Sequence, residues 1–396
     1  MNRTIFSDAH QQYREMVRTF VTREIEPHLS QWEKDGVVDR SLWEKAGERG
    51  ITGVSIPVEF GGAGITDFVY YVVLHEELAR VGAASLSSGF TVQDNIVVPY
   101  LVDLGTTEQQ QRWLPGIAAG KIVGALAMTE PDAGSDLQGI RSVARRDGDT
   151  WILNGRKTFI TNGGSADIVI VAARTEPASG ARGMSLLVVE ANQDGFSRGP
   201  SLNKVGLHAQ DTAELVFEDV RVPATEVLGQ QGRGFFHIME HLPLERITIA
   251  TAALAGARAI FADTVRYCTQ RKAFGQPIAE FQHTKFVLAE ISTEIDVTQA
   301  YLDGLVQRLN AGVLTPVDAA KAKWWATELQ KRVVDRCLQL HGGYGYMLEY
   351  PVARAYIDSR VQTIYGGTTE IMKEVIGRDI VKRAGATVPR EDSLAG

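Results

Sequence analysis

The sequence predicts an α+β protein built in three successive segments: a helical domain over 1–121, a central antiparallel β-barrel or sandwich over 122–232, and a four-helix bundle over 233–396. Three observations predict this order. Apolar residues recur at helical spacing near the N-terminus. Period-two and short apolar runs replace them from about residue 122, and the helical period returns near residue 233 and persists. At 396 residues the chain is too long for one ordinary core and long enough for about two or three domains.

In the first segment Ser7 is placed to cap a helix. Tyr13, Met16, Val17, Phe20, Val21 and Ile25 form its apolar face, and Pro27 stops it. A short helix follows Ser41 through Leu42, Trp43 and Ala46. Gly61-Gly62-Ala63-Gly64 then breaks the chain before another helix through Glu76, Glu77 and Leu78. In the middle segment the apolar runs 168–172, 184–189 and 215–222 are bounded by turn residues. Asn154-Gly155, between Trp151-Ile152-Leu153 and Thr158-Phe159-Ile160, predicts a hairpin turn, because both residues tolerate positive φ. In the last segment four helical patterns run over roughly 233–270, 281–311, 316–340 and 350–383. Gly275, Gly312 and Gly342-Gly343 separate them, with Pro277, Pro316 and Pro351 near helix starts. Short connections between four helices predict an antiparallel bundle.

Composition narrows the function. Lys and Arg number 41 against 48 Asp and Glu, a net charge of −7, which argues against broad nucleic-acid binding. A phosphate-bearing ligand must then be held locally, by helix N-termini or a few Arg and Lys. The two cysteines, Cys268 and Cys337, build neither a disulfide framework nor a Cys-based metal cluster and read as reduced thiols inside helices. The N-terminal residues lack the apolar core of a signal peptide, and no stretch approaches the roughly 20 apolar residues of a membrane span. A cytoplasmic protein is the resulting expectation.

Several catalytic patterns are absent, among them the Walker phosphate loop and the Gly-x-Ser-x-Gly elbow. His237, His241 and Glu245 stand at i, i+4 and i+8, a spacing that could put three metal ligands on one helix face. Pro243 inside that spacing is expected to break the face, so no metal is predicted. Two loops remain as ligand candidates. Thr129-Glu130-Pro131-Asp132-Ala133-Gly134-Ser135-Asp136 follows an apolar run and is rich in backbone donors, fit for the lip of a polar cofactor site. Gly366-Gly367-Thr368-Thr369 opens the last helix, where free N–H groups favour an oxyanion or phosphate.

Those loops carry a resemblance to the acyl-CoA dehydrogenase family. The segment 126–135 (Leu-Ala-Met-Thr-Glu-Pro-Asp-Ala-Gly-Ser) resembles the family's flavin and substrate loop, and 157–163 (Lys-Thr-Phe-Ile-Thr-Asn-Gly) the strand beside the flavin ring. Arg271-Lys272-Ala273-Phe274-Gly275 with Gln282 resembles the part that reaches a neighbouring subunit's FAD. Gln339-Leu340-His341-Gly342-Gly343 and Tyr365-Gly366-Gly367-Thr368-Thr369-Glu370 match two further flavin segments. Five segments in the family's order, spread over nearly the whole chain, make the match specific.

The resemblance implies FAD held between the middle and last domains and a homotetramer, a dimer of dimers. The cofactor set it implies is Leu126, Met128, Thr129, Gly134, Ser135, Phe159, Ile160, Thr161, Arg271, Phe274, Gln282, Gln339, Leu340, Gly342, Gly343, Thr368 and Glu370. Ser135, Phe235, Leu244, Arg246, Tyr365 and Gly366 are implied substrate contacts. The implied reaction oxidises an acyl-CoA thioester to the trans-2-enoyl-CoA and passes electrons to an electron-transferring flavoprotein. The Gly367 N–H polarises the thioester carbonyl together with a ribityl hydroxyl. Most of the family carries its base just before the Gly-Thr of the last segment, where this chain has Gly366. In the long-chain and isovaleryl branch the base lies on an earlier helix, at the position of Glu245. Medium- or long-chain substrates are expected, with an isovaleryl-type enzyme or a flavin oxidase on the same fold as alternatives.

Overall fold

The computed structural model describes residues 3–387. The first segment holds α1 (Asp8–Phe20), α2 (Leu29–Asp35), α3 (Ser41–Glu48), α4 (Val69–Arg80), α5 (Ala84–Phe90), α6 (Val98–Leu104) and α7 (Thr107–Ala118). Ser7 caps α1 as expected, its N–H donating to His10 Nδ1 at 3.0 Å. The helix continues past Phe20 as a wider π-type turn, Val21–Ile25. A second π-type stretch, Thr91–Val97, joins α5 to α6 and lies along the functional cavity.

The middle segment forms one twisted sheet from β1 (Gly124–Ala127), β2 (Val143–Asp147), β3 (Thr150–Thr161), β4 (Ile168–Arg174), β5 (Met184–Glu190), β6 (Phe196–Arg198), β7 (Thr212–Pro223) and β8 (Val227–Leu228). The order is β6-β7-β3-β2-β4-β5-β8, with β1 beside β4. Most pairs are antiparallel, and β1–β4 is parallel. Strands β4 and β5 are buried on both faces. Ile168, Ile170, Leu186 and Val188 pack on Val97, Leu101, Trp113 and Leu114 of the helices, while Val169, Val171, Leu187 and Val189 face Trp151, Leu215 and Phe217 within the sheet.

The expected hairpin at Asn154-Gly155 is not there: both residues lie inside the single long strand β3. The pairing with β7 shifts register between Leu153 and Gly155, and a Cβ on Gly155 would meet Ser142 Oγ at 2.2 Å. The pair therefore marks a bulge with a close approach, a role for glycine as common in strands as the turn. The hairpin itself falls at Gly148, with φ +61°, between β2 and β3.

The last segment contains α8 (Gly234–Gln270), α9 (Gln282–Asn310), α10 (Pro316–His341), α11 (Pro351–Ser359) and α12 (Thr369–Thr387). The pattern over 350–383 is thus two helices, parted by the Gly366-Gly367 turn, where both residues have positive φ. Helix α8 runs through Pro243 without interruption for 37 residues. Its window of mean hydropathy 1.2 meets a membrane-span criterion by composition, but 56% of that window is buried inside the protein. Ile247, Ala250, Leu254 and Ala257 of α8 form the bundle core with Ile291, Leu302, Leu329 and Val333 of α9 and α10.

Candidate active site

A cavity of about 660 Å³ opens where the three segments meet. The β segment contributes Leu126, Met128, Thr129, Gly134 and Ser135 from β1 and its following loop, and Phe159, Ile160 and Thr161 from the end of β3. Thr158 N–H donates to Thr129 O at 2.9 Å, which joins these two pieces. The loop is anchored from below by Glu130. Its carboxylate accepts from Lys157 Nζ at 2.8 Å and from the backbone N–H groups of Arg141 and Ser142 at 2.6 and 2.9 Å. Burial, the largest influence on Glu130, pushes its pKa up, but Lys157 and the two backbone donors prevail and hold it below the usual range.

Helix α8 contributes Phe235, Glu245 and Arg246 of the expected residues, and the turn before α12 contributes Tyr365, Gly366 and Gly367. Leu244 does not reach the cavity; it turns toward the bundle core, as its neighbours on α8 occupy the other face. Glu245 is only 3% exposed. Tyr100 Oη donates to its Oε1 at 3.3 Å. Burial, the dominant cause, raises the Glu245 pKa to about 7 against the opposing pull of His241, Tyr100 and Arg246. Arg246 is buried beside it, and its Nε has no hydrogen-bond partner among the described residues. A buried cation with an unpartnered donor on a cavity wall is suited to a polar or anionic ligand group.

The Gly366-Gly367 turn is shaped by its backbone. Gly366 has φ +62° and Gly367 φ +91°, and a Cβ on Gly366 would meet Ile249 Cδ1 at 2.4 Å. Lys323, fully buried, donates from Nζ to Gly367 O at 2.6 Å. Burial brings its ammonium down to about 7, with Arg246 adding to the shift. Among the described residues the Gly367 N–H is engaged by no backbone carbonyl. Thr368 Oγ1 accepts from Ile371 N–H at 3.3 Å and so caps α12.

The remaining expected cofactor residues lie elsewhere. Arg271, Gln282, Gln339, Gly342 and Gly343 are exposed and Leu340 is half-buried; none of these lines the cavity. Phe274 is 97% exposed with φ +51°. The two stretches adjoin on the surface, where Arg271 stands over the Tyr344 ring at 5.5 Å. Thr368 and Glu370 sit at the start of α12 just beyond the lining, and Glu370 is exposed.

The three-residue metal spacing dissolves into separate contacts. His237 Nδ1 lies 3.5 Å from Glu240, His241 Nε2 lies 3.2 Å from Asp103, and Glu245 takes the Tyr100 hydroxyl. Three residues around the site were not expected from the sequence. Tyr100 and Lys323 come from distant helices and stand behind the cavity wall, bonded to Glu245 and Gly367. Asp358 lines the cavity 4% exposed, raised to about 7 by burial, and its Oδ1 accepts from Leu207 N–H at 2.6 Å.

A flat aromatic cofactor with a polyanionic tail fits these residues. Met128, Phe159 and Ile160 give an apolar wall, and Phe159 is held 67% exposed at φ +58°, an unusual conformation for a bulky residue. The N-terminal end of α12 adjoins this wall through Gly367 and Ile371, and the positive end of a helix dipole suits a phosphate.

Comparisons with known proteins agree along the chain. The acyl-CoA dehydrogenase N-terminal, middle and C-terminal domain families match residues 7–121, 125–220 and 232–381. The mitochondrial long-chain specific acyl-CoA dehydrogenase of Sus scrofa is 50% identical over 96% of this chain and 88% of its own length. A solved acyl-CoA dehydrogenase from Geobacillus kaustophilus superposes with a TM-score of 0.93 at 46% identity, covering 96% of this chain and all of that one. A glutaryl-CoA dehydrogenase from Mycobacterium smegmatis, solved in complex with FADH2, reaches 0.89 at 30% identity, with 96% of each chain covered.

Proposed function

The chain belongs to the acyl-CoA dehydrogenase family, and from that premise we propose that Glu245 is the base that removes the α-proton of a long-chain acyl-CoA. The reaction is the α,β-dehydrogenation of an acyl-CoA thioester with FAD. Bound FAD supplies the acceptor for the β-hydrogen, which leaves as hydride. Leu126, Met128, Thr129, Ser135, Phe159, Ile160 and Thr161 would hold it in the cavity.

The observation that carries the base assignment is a buried carboxylate on the cavity wall, shared with the Gly366-Gly367 turn and bound, among the described residues, by a single side-chain hydrogen bond. The thioester carbonyl, polarised by the Gly367 N–H, acidifies the α-carbon. Lys323 holds the Gly367 carbonyl, in the peptide plane that follows the donor, and so restrains the turn that carries that N–H. Arg246 adds positive charge beside the carbonyl that gains electron density. Asp358, the second buried carboxylate, is tied to the Leu207 backbone and reads as an anchor between the β segment and α11.

Long-chain preference is supported by the cavity's reach. It follows one face of α8 from Glu245 through Ile249, Ala252, Gly256 and Ala259 to Asp263, roughly 27 Å of helix. Small side chains leave room along that face. The test is kcat/KM across acyl-CoA esters of rising length and branching. Values are expected to rise toward palmitoyl-CoA, and faster turnover of isovaleryl-CoA would favour the branched-chain alternative. Oxygen consumption with no other acceptor would indicate a flavin oxidase, whereas an electron-transferring flavoprotein is the proposed acceptor.

The pH dependence follows from burial. A carboxyl with a pKa near 7 is protonated below that value and cannot accept a proton, so kcat/KM is expected to fall about tenfold per pH unit below about 7. A profile flat down to about pH 5 would contradict Glu245 as the base.

The exposed patch of Arg271, Phe274, Gln282 and Gly343 is proposed to meet the FAD of a neighbouring copy, in a homotetramer. Arg271→Ala is then expected to lower both FAD retained after dialysis and the assembled mass by light scattering. Unchanged FAD retention would remove this assignment.

A further inference from the structure

Two helices far apart in the sequence meet at Glu245 as a lattice of four side chains. On α6, Tyr100 and Asp103 stand three residues apart and so share a face; on α8, His241 and Glu245 stand four apart and do the same. The faces interlock. Tyr100 Oη donates to Glu245 Oε1 at 3.3 Å. The Tyr100 ring stacks on the His241 ring, with centroids 4.2 Å apart and planes 26° from parallel. His241 Nδ1 donates to His237 O at 2.8 Å, and its Nε2 faces Asp103 Oδ2 at 3.2 Å.

Resting on the assignment of Glu245 as base, we propose that Tyr100 is a positioning residue, whose hydroxyl orients the Glu245 carboxylate toward the α-carbon and whose ring is fixed in turn by His241.

The bland alternative is that Tyr100 merely fills the core formed with Val97, Leu101 and Trp113. Phenylalanine would fill that space equally well. A hydroxyl on a fully buried ring is costly unless it is hydrogen-bonded, and its partner here is the carboxylate. The Tyr100 bond is also the one hydrogen bond Glu245 makes through its side chain among the described residues. One oxygen is thereby oriented while the other stays available for a proton. At 3.3 Å the bond is long for O–H···O, as expected of a resting site that tightens around substrate.

The charges around Glu245 fix the sign of the pH effect. His241 and Arg246 face it from α8 and Tyr100 from α6, Asp103 of α6 lies beyond His241, Lys323 of α10 lies beyond Arg246, and Tyr365 shares the cavity wall. A donated hydrogen bond favours the carboxylate over the carboxylic acid. Removing it tightens proton binding and moves the acid limb of the rate profile to higher pH.

The test is Tyr100→Phe in the FAD-loaded enzyme, run beside Glu245→Gln. The expected result is kcat lowered roughly ten- to hundred-fold, with the dissociation constant for acyl-CoA unchanged and the acid limb of kcat/KM displaced upward. Thermal midpoint is measured in parallel. A lower midpoint with kcat and acid limb as in the wild type would show a packing role alone and overturn the proposal. A wild-type rate in Tyr100→Phe with Glu245→Gln inert would sink the Tyr100 inference while leaving the base in place. A wild-type rate in Glu245→Gln would overturn the base assignment and this inference with it.

Discussion

Glu245→Gln is expected to lower kcat by about 10²–10⁴ while leaving FAD content and acyl-CoA affinity near their wild-type values. Gln keeps the shape and can still accept the Tyr100 hydroxyl, but it cannot take a proton. The same variant carries a second, independent signature. The folded-state pKa of Glu245 lies above its ordinary value, so this group's contribution to stability is full below the unfolded range and is lost as pH rises through about 7. Above that pH a charge is buried at a cost that Gln does not bear. Glu245→Gln should therefore melt at a higher temperature than the wild type at about pH 8 and lose most of that advantage near pH 5. A dead variant that is also more stable is the mark of a carboxylate kept for chemistry. Should the variant stay active, Asp358 is the next carboxylate to replace, because Glu370 is exposed and lies off the cavity wall.

The second large effect belongs to the flavin loop's anchor. Glu130→Ala leaves Lys157 buried without a counter-charge and strips acceptors from the Arg141 and Ser142 N–H groups. Removing one partner of a buried pair costs about 3–5 kcal/mol. The expected outcome is a large fall in the denaturation midpoint, with weaker FAD retention because the loop through Gly134 and Ser135 hangs on Glu130. Glu130→Leu combined with Lys157→Met should recover part of the stability, since no charge is then left unpaired. Recovery is incomplete because two backbone donors still lack acceptors. A Glu130→Ala protein as stable as the wild type would contradict this reading of the pair.

The three-segment order was legible because long amphipathic helices and alternating strands imprint their periods on the sequence. The errors arose where a local signal had more than one physical use. Asn154-Gly155 resembles a hairpin turn, yet Gly155 is required by the nearness of Ser142 across a bulge. Pro243 removes one helical N–H, yet α8 continues, its flanks held by packing on both sides. Glu245 is proposed as the base because Gly366 leaves the usual position without a carboxylate, which points to an earlier helix. Its supports leave no mark in the sequence. Tyr100 is 145 residues away, and Lys323 acts on Gly367 across 44. No periodicity in a single sequence reports which faces of distant helices meet, and for the same reason the sequence does not show that Leu244 packs toward the bundle core.

The central claim is tested most directly by anaerobic mixing of the FAD-loaded protein with palmitoyl-CoA, beside Glu245→Gln, following flavin colour and identifying the product. The account predicts that the wild type bleaches and forms the trans-2-enoyl-CoA, while the variant binds the substrate and stays yellow. A wild type that stays yellow, or a variant that bleaches at the wild-type rate, would contradict it.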